Sequence, residues 1–163
     1  MMISKTMSHL SLVPRELPQT TNSDIRRAAM DLLAKREHTR EELSRKLFRQ
    51  FSSESAPIDE ELAKLRDEGL QSDARLAEAL IRSRVSRGQG PVRIEGELRG
   101  KGLSGSEIKI AMEMGEFDWF ALVQQVSLKR YGEQPPANAK ERAKRGRFLQ
   151  QRGFTFEHIR SLS

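Results

Sequence analysis

The 163-residue chain contains no cysteine, which excludes a disulfide framework and any metal site with cysteine ligands. It also lacks an apolar run close to the roughly 18 residues that a membrane-spanning helix needs. Aromatic residues make up only 6% of the sequence, whereas charged residues make up 32%. This composition is typical of a small helical protein with a lean core, and we expect a monomer in the reducing cytoplasm, away from the membrane.

The residue patterns of catalytic and cofactor sites are missing as well. The histidines, His9, His38 and His158, stand alone, and none is spaced with a second histidine or a carboxylate as metal ligands would be. The pair Gly88 and Gly90 follows no predicted strand, so it does not indicate a phosphate-binding loop. We therefore expect no enzymatic activity, no metal and no cofactor.

Positive charge is unevenly distributed. Residues 23–68 carry 10 Lys/Arg against 11 Asp/Glu, whereas residues 69–163 carry 17 against 11. A basic second half indicates a polyanionic partner. Nucleic acid is favoured over a membrane, because no amphipathic helix with Trp or Phe anchors accompanies the charge. Charge alone leaves a plain solvated surface open as the alternative.

Helix signals are clearest in the middle of the chain. Gly90 is a candidate N-cap, and Pro91 suits the first helical position because its missing N–H costs nothing there. Gly102 is placed to end this helix in the left-handed conformation. Ser104 and Glu107 then form a capping box that opens the next helix, and Thr39 and Glu42 form another one earlier in the chain.

The same helical period predicts helices along the rest of the chain and no strand. Residues 1–22 show no period, so we expect a disordered tail without a signal peptide. Loops are expected at 51–57 and 134–138, and glycines are expected to end helices. Those glycines are Gly69, Gly88, Gly102, Gly132 and Gly153. Phe48, Phe120 and Leu128 are predicted to face inward, and Trp119 and Phe117 to pack between repeats.

A fixed spacing of 51 residues relates parts of the chain to one another. Lys101 and Gly102 precede Arg152 and Gly153 by 51 positions, and other apolar pairs keep the same interval. A period of this size indicates a repeat architecture, in which each unit packs on its neighbour. We therefore predict an all-α, elongated array of three tandem three-helix repeats, each with one long and two short helices. The predicted limits are 23–70, 71–115 and 116–163.

Six stretches in this order resemble the RecX family of bacterial regulatory proteins. They are Ala29–Arg36, Thr39–Leu47, Asp73–Ala77, Gly90–Ile94, Glu97–Leu103 and Arg147–Phe154. The resemblance covers about Ser23 to Leu162 and implies three tandem three-helix repeats. It also implies a non-enzymatic modulator, mainly an inhibitor, that binds in the groove of the RecA–single-stranded DNA filament. Such a protein would depress strand exchange, ATP hydrolysis and co-protease activity, and so act in recombination, repair and the SOS response.

Basic residues on three helices are the predicted contacts for this partner and its DNA. Lys140, Lys144, Arg147 and Gln151 form one stripe on the last long helix, with Arg142 and Arg145 beside it. The full predicted set is Arg82, Arg87, Arg93, Arg99, Lys101, Lys140, Lys144, Arg145, Arg147 and Arg152. Arg84 lies instead on an apolar face, so we expect it either to extend its guanidinium along that face to solvent or to pair with a carboxylate between repeats.

Two other functions stay open from the sequence. One is an autonomous DNA-binding protein whose three-helix units act as helix-turn-helix readers, although no helix start carries the Asn, Gln and Arg cluster that reads base edges. Binding without sequence preference would show a steep salt dependence. The other is a purely structural scaffold. In that case, charge reversal at Lys144, Arg145 and Arg147 would leave binding to RecA and to DNA unchanged.

Overall fold

The computed structural model describes residues 21–52 and 55–163, which form helices joined by short loops, with no strand in these ranges. The helices are α1 (Asn22–Lys35), α2 (Arg40–Gln50), α3 (Ser55–Asp67), α4 (Asp73–Ser86), α5 (Pro91–Gly100), α6 (Gly105–Met114), α7 (Trp119–Tyr131), α8 (Ala139–Gln151) and α9 (Phe156–Arg160). No helix within the described ranges is long and apolar enough to cross a membrane.

Most of these helices begin at the capping residues that the sequence predicts. Gly90 and Pro91 open α5, and Ser104 accepts a hydrogen bond from the Glu107 amide in a capping box. The five glycines predicted to end helices all have φ between 74° and 103°, a range that favours glycine, so this prediction is confirmed. At Thr39 only half of the expected box forms, because the Glu42 side chain points to basic residues instead.

Three separate hydrophobic cores divide the helices into triplets. We call α1–α3 repeat 1, α4–α6 repeat 2 and α7–α9 repeat 3. The central core residues are Leu43, Leu47 and Leu62 in repeat 1, Ile81, Ile94 and Leu98 in repeat 2, and Val123, Leu149 and Phe154 in repeat 3. The predicted all-α array of three-helix repeats is confirmed, whereas the residue limits given above for each repeat stay a prediction.

The spacing of 51 residues holds for helix ends as well as for apolar positions. The matched pairs are the N-caps Thr21 and Ser72, the C-caps Arg36 and Arg87, the N-caps Thr39 and Gly90, the C-caps Lys101 and Arg152, and the N-caps Ser104 and Thr155. Corresponding positions in successive repeats therefore occupy the same place in the fold.

Several expectations about single elements are wrong. The tail was predicted to reach residue 22, but α1 begins at Asn22 after its cap, and the rest of the tail lies outside the described residues. Helix α3 begins at Ser55, so the loop at 51–57 is shorter than predicted. The pattern of one long and two short helices holds only in repeat 2, since α3 has 13 residues against 11 for α2, and α7 and α8 have 13 each.

Three apolar side chains predicted to face inward are half-exposed. Phe48 is 49% exposed, and Phe120 and Leu128 have similar exposure. Phe120 packs edge-on against His158, with ring centroids 4.9 Å apart, rather than entering the core. In contrast, Phe117 and Trp119 pack against the core of repeat 2. Because Trp119 begins α7, this confirms its predicted place between repeats.

Candidate partner-binding surface

The first junction is the contact between repeats 1 and 2, where the loop before α2 meets the end of α5. Thr39 caps α2 and also donates its hydroxyl to the Lys101 carbonyl at 2.6 Å. Glu42 lies between two cations, 2.7 Å from Lys101 Nζ and 3.0 Å from Arg36 Nη1. Lys101, one of the predicted contact residues, is therefore part of an ion pair between repeats.

The electrostatics of Glu42 follow from this position. Its side chain is only 12% exposed, and burial alone would raise the pKa of the carboxyl. Hydrogen bonds from Lys101 and Arg36 outweigh the burial, so the pKa of Glu42 lies below its ordinary value. The carboxylate is ionised at neutral pH and holds the two repeats together.

Further polar contacts complete the first junction. Arg75 at the start of α4 donates to Glu37 at 2.5 and 3.2 Å, and the Arg40 amide donates to Asp73 at 2.9 Å. Buried Gln71 donates to the His38 carbonyl at 3.2 Å. Every one of these bonds joins the segment from Glu37 to Arg40 to the start of repeat 2 and uses at least one side chain.

The second junction joins repeats 2 and 3 and is built from backbone. The Gly90 amide donates to the Arg152 carbonyl at 2.8 Å, and the Val92 amide donates to the Gly153 carbonyl at 2.9 Å. A Cβ at Gly90 would lie 2.5 Å from the Gly153 carbonyl and 2.6 Å from the Phe154 amide. Only glycine permits this approach.

Helix α8 carries three exposed cations of the predicted set. Lys140, Lys144 and Arg147 are exposed, and within the ranges 21–52 and 55–163 none of them makes an ion pair or a side-chain hydrogen bond. Asn138 caps the helix by accepting a hydrogen bond from the Glu141 amide. This cap fixes where the helix begins and therefore where the three cations lie along it. These three side chains are available to an anionic partner.

Arg145 and Arg152, also predicted as contacts, are instead packed against aromatic rings. Arg145 donates to the Gln134 carbonyl and to Glu141, both at 2.8 Å, and its Cζ lies 4.7 Å from the ring centroid of Tyr131. Its side chain is only 14% exposed. The Cζ of Arg152 lies 5.6 Å from the ring centroid of Phe148, and its buried Nε has no acceptor among the described residues.

The sequence pattern does not reveal this cluster of arginines and rings, because its members come from different helices. Arg130 and Tyr131 end α7, and the ring of Tyr131 meets that of Phe148 edge-on at 5.7 Å. Arg130 also lies over Phe148, with 5.2 Å between its Cζ and the ring centroid. The only available signal was an Arg-Tyr pair before a glycine.

The remaining predicted residues lie on α4 and α5. Arg82 pairs with Glu78 at 2.7 Å in an exposed contact, and such pairs contribute little stability. Arg87, Arg93 and Arg99 are exposed and make no ion pair within the part of the chain that the structure describes. The predicted set is therefore spread over α4, α5 and α8, and exposed members without an ion pair lie on each of these helices or at its end.

Arg84 pairs with a carboxylate, as predicted, but not between repeats. Its guanidinium binds Glu97 of α5 through two bonds of 2.6 and 2.8 Å, within repeat 2. The hydrogen bond from Arg84 lowers the pKa of Glu97. The prediction placed the carboxylate in a neighbouring repeat. Helix α5 instead packs directly beside α4 and brings Glu97 of the same repeat within reach of Arg84.

Repeat 2 also has an apolar groove between α4 and α6, about 790 Å³ in volume. Ile110 and Met114 line it and are 58% and 79% exposed. Among the described residues, no three His, Asp or Glu side chains are grouped as metal ligands. A basic helix and an apolar groove are thus two open features of the described residues.

Comparison with known proteins identifies the family. The model of the second three-helix domain of RecX matches residues 72–112, and that of its third three-helix domain matches residues 116–162. The regulatory protein RecX of Halorhodospira halophila is 44% identical over 137 residues, which are 84% of each chain. The chain belongs to the RecX family. RecX of Pseudomonas fluorescens is 43% identical over 138 residues, 85% of this chain and 88% of the relative.

A solved structure supports the same architecture. The crystal structure of RecX from Lactobacillus salivarius superposes with a TM-score of 0.74 and covers 86% of this chain and 92% of its own. At 24% identity this likeness concerns the fold alone. RecX membership gives the chain a regulatory role, and the resemblance drawn from six sequence motifs is confirmed.

Proposed function

We propose that this RecX-family protein binds the RecA–single-stranded DNA filament and inhibits its recombinase, ATPase and co-protease activities. The observation that carries the proposal is the exposed row Lys140, Lys144 and Arg147 on α8, in a chain of the RecX family. Unpaired cations on a rigid helix suit a surface rich in phosphate, because each contact releases a condensed counterion. The protein acts in the cytoplasm as a monomer without a cofactor. Its partner is the filament, in which RecA protomers repeat.

The linked repeats explain how a small protein can hold a filament. Each repeat has its own core, so separate faces can contact successive protomers. Once one repeat is bound, the others act at a high effective concentration. Contacts to several protomers would favour one filament conformation over another and so oppose turnover.

Parallel binding measurements test the choice of partner. The protein is titrated against RecA filament, free RecA and single-stranded DNA alone, with fluorescence anisotropy as the readout. We expect the tightest binding to the filament and weak binding to free RecA. Equal affinity for filament and bare DNA would contradict the proposal.

The second candidate is a DNA-binding protein that acts alone and without sequence preference. The same exposed cations on α8 favour it, because phosphate contacts carry no sequence information. It predicts binding to bare DNA with a steep salt dependence, and no additional affinity when RecA is present. A footprint on one specific duplex would instead indicate a helix-turn-helix reader.

A further inference from the structure

The two junctions of the array carry charges of opposite sign at their central position. In the first, the carboxylate of Glu42 is held between Arg36 and Lys101. The spacing of 51 residues places Arg87, Arg93 and Arg152 at the three corresponding positions of the second junction. The central acid is therefore replaced by a third cation.

The backbone brings two of these positions, Arg93 and Arg152, together. The Val92 amide donates to the Gly153 carbonyl at 2.9 Å, and a Cβ at Gly153 would lie 2.5 Å from the Arg93 Cβ. Arg93 thus starts directly beside the Arg152–Gly153 peptide. The Phe148 ring lies under the Arg152 guanidinium and restricts where it can point.

No carboxylate lies within ion-pairing distance of these three arginines in residues 21–52 and 55–163, although Glu97 attracts Arg93 at longer range. Arg87, Arg93 and Arg152 make no ion pair there, and Glu97, one turn along α5 from Arg93, is already bound through both oxygens to Arg84. The buried Nε of Arg152 donates to nothing in the described part of the chain. A buried donor without an acceptor is costly, and rotation of the Arg152 side chain toward an external anion would remove that cost.

We propose that the second junction binds a phosphate oxyanion between Arg93 and Arg152, with Arg87 beside it, in the place that Glu42 occupies at the first junction. Guanidinium groups form paired hydrogen bonds with phosphate, which makes arginine the suitable residue for such a site. The anion links α5 to α8 and so locks repeats 2 and 3 together. Its source is either free phosphate or the phosphodiester backbone of a nucleic acid, and the second source rests on the proposed function.

The first arm of the test measures free phosphate. Thermal unfolding and calorimetric titration compare inorganic phosphate with chloride at equal ionic strength. We expect phosphate to raise the melting temperature of the wild-type protein in a saturable way, because a ligand of the native state stabilises it. Arg93→Glu supplies the carboxylate that the first junction has, so it should raise the melting temperature in chloride and abolish the phosphate effect.

Matched variants keep this arm interpretable. Arg93→Gln removes the charge without adding an acid and should also lose the phosphate effect, even if Arg93→Glu fails to fold. Lys109→Glu makes the same charge change at an exposed position of α6 and should respond to phosphate like the wild type. Arg93 variants that bind phosphate and oligonucleotide as the wild type does would overturn the proposal.

The second arm identifies the source of the anion. A short oligothymidylate is titrated by anisotropy with the same variants and without RecA. Weaker oligonucleotide binding by Arg93→Gln, with Lys109→Glu unchanged, assigns the site to a nucleic-acid phosphodiester, whereas loss of the phosphate effect alone assigns it to free phosphate. Because neither arm contains RecA, failure here is distinct from failure to inhibit the filament.

Discussion

At the residue scale, a few side chains and glycines decide how neighbouring repeats are held. Glu42 stabilises the first junction through ion pairs with two cations. At the second junction, Gly90 allows the backbones of the two repeats to come into contact. Sequence reasoning identified Gly90 correctly as a helix cap, but its contact with Gly153 could not be predicted, because it depends on how repeats 2 and 3 dock. The same reasoning assigned Glu42 to a capping box. Its ion pair with Lys101 could not be predicted, because local spacing carries no information about a residue so distant in sequence.

The ion pairs of Glu42 predict a stability difference that depends on pH. Glu42→Gln should lower the free energy of unfolding by about 1–2 kcal/mol at neutral pH, because Lys101 and Arg36 lose their charged acceptor. The folded-state pKa of Glu42 lies below its ordinary value of 4.5, so its contribution is complete above that value and is lost as the pH falls through the folded pKa.

Urea unfolding of both proteins across this pH range checks the prediction. The difference between wild type and variant should be constant above pH 4.5 and shrink at lower pH. Glu113→Gln, at an exposed position of α6 without an ion pair in the described ranges, should be neutral throughout. A difference that persists unchanged in acid would contradict the role given to the carboxylate.

The close approach at Gly90 predicts a specific effect of one methyl group. Gly90→Ala should destabilise the protein by about 1–3 kcal/mol, because its Cβ would meet the backbone of Gly153 and Phe154. Gly96→Ala on the same helix has open space around the new methyl and should stabilise by about 0.5–1 kcal/mol. Chemical denaturation measures both, and a neutral Gly90→Ala would show that the junction does not need this contact.

At the scale of the element, α8 has two faces with different roles. Lys140, Lys144 and Arg147 point to solvent, while Arg145 and Arg152 lie over aromatic rings. Helical spacing predicted the exposed stripe, since periodicity within one helix is a local property. It could not separate the packed arginines from the exposed ones, because their ring partners include Tyr131 of α7.

The exposed stripe predicts a change in salt dependence. Replacing Lys140, Lys144 and Arg147 by Gln should weaken single-stranded DNA binding about tenfold or more at low salt, and reduce the slope of log K against log salt by about 2. A matched triple variant, with Gln at Arg27, Lys35 and Arg49, removes three exposed charges from repeat 1 and should bind as the wild type does. Equal slopes for both variants would show that α8 contributes only general charge.

At the scale of the whole molecule, three small cores in series replace one large core. The repeat period made this architecture predictable from sequence, because several helix ends and apolar positions recur after 51 residues. The junctions were less predictable, since they use side chains in one case and backbone in the other. This modular design suits a partner that is itself a repeating filament.

ATP hydrolysis by RecA on single-stranded DNA is the most direct test of the proposed function. Steady-state hydrolysis is measured with increasing amounts of the wild-type protein and, in parallel, of the α8 triple variant and the repeat 1 triple variant. We expect the wild type and the repeat 1 variant to depress hydrolysis to the same extent, and the α8 variant to require a markedly higher concentration. Hydrolysis that is unchanged by saturating wild-type protein would contradict the proposal that it inhibits the filament.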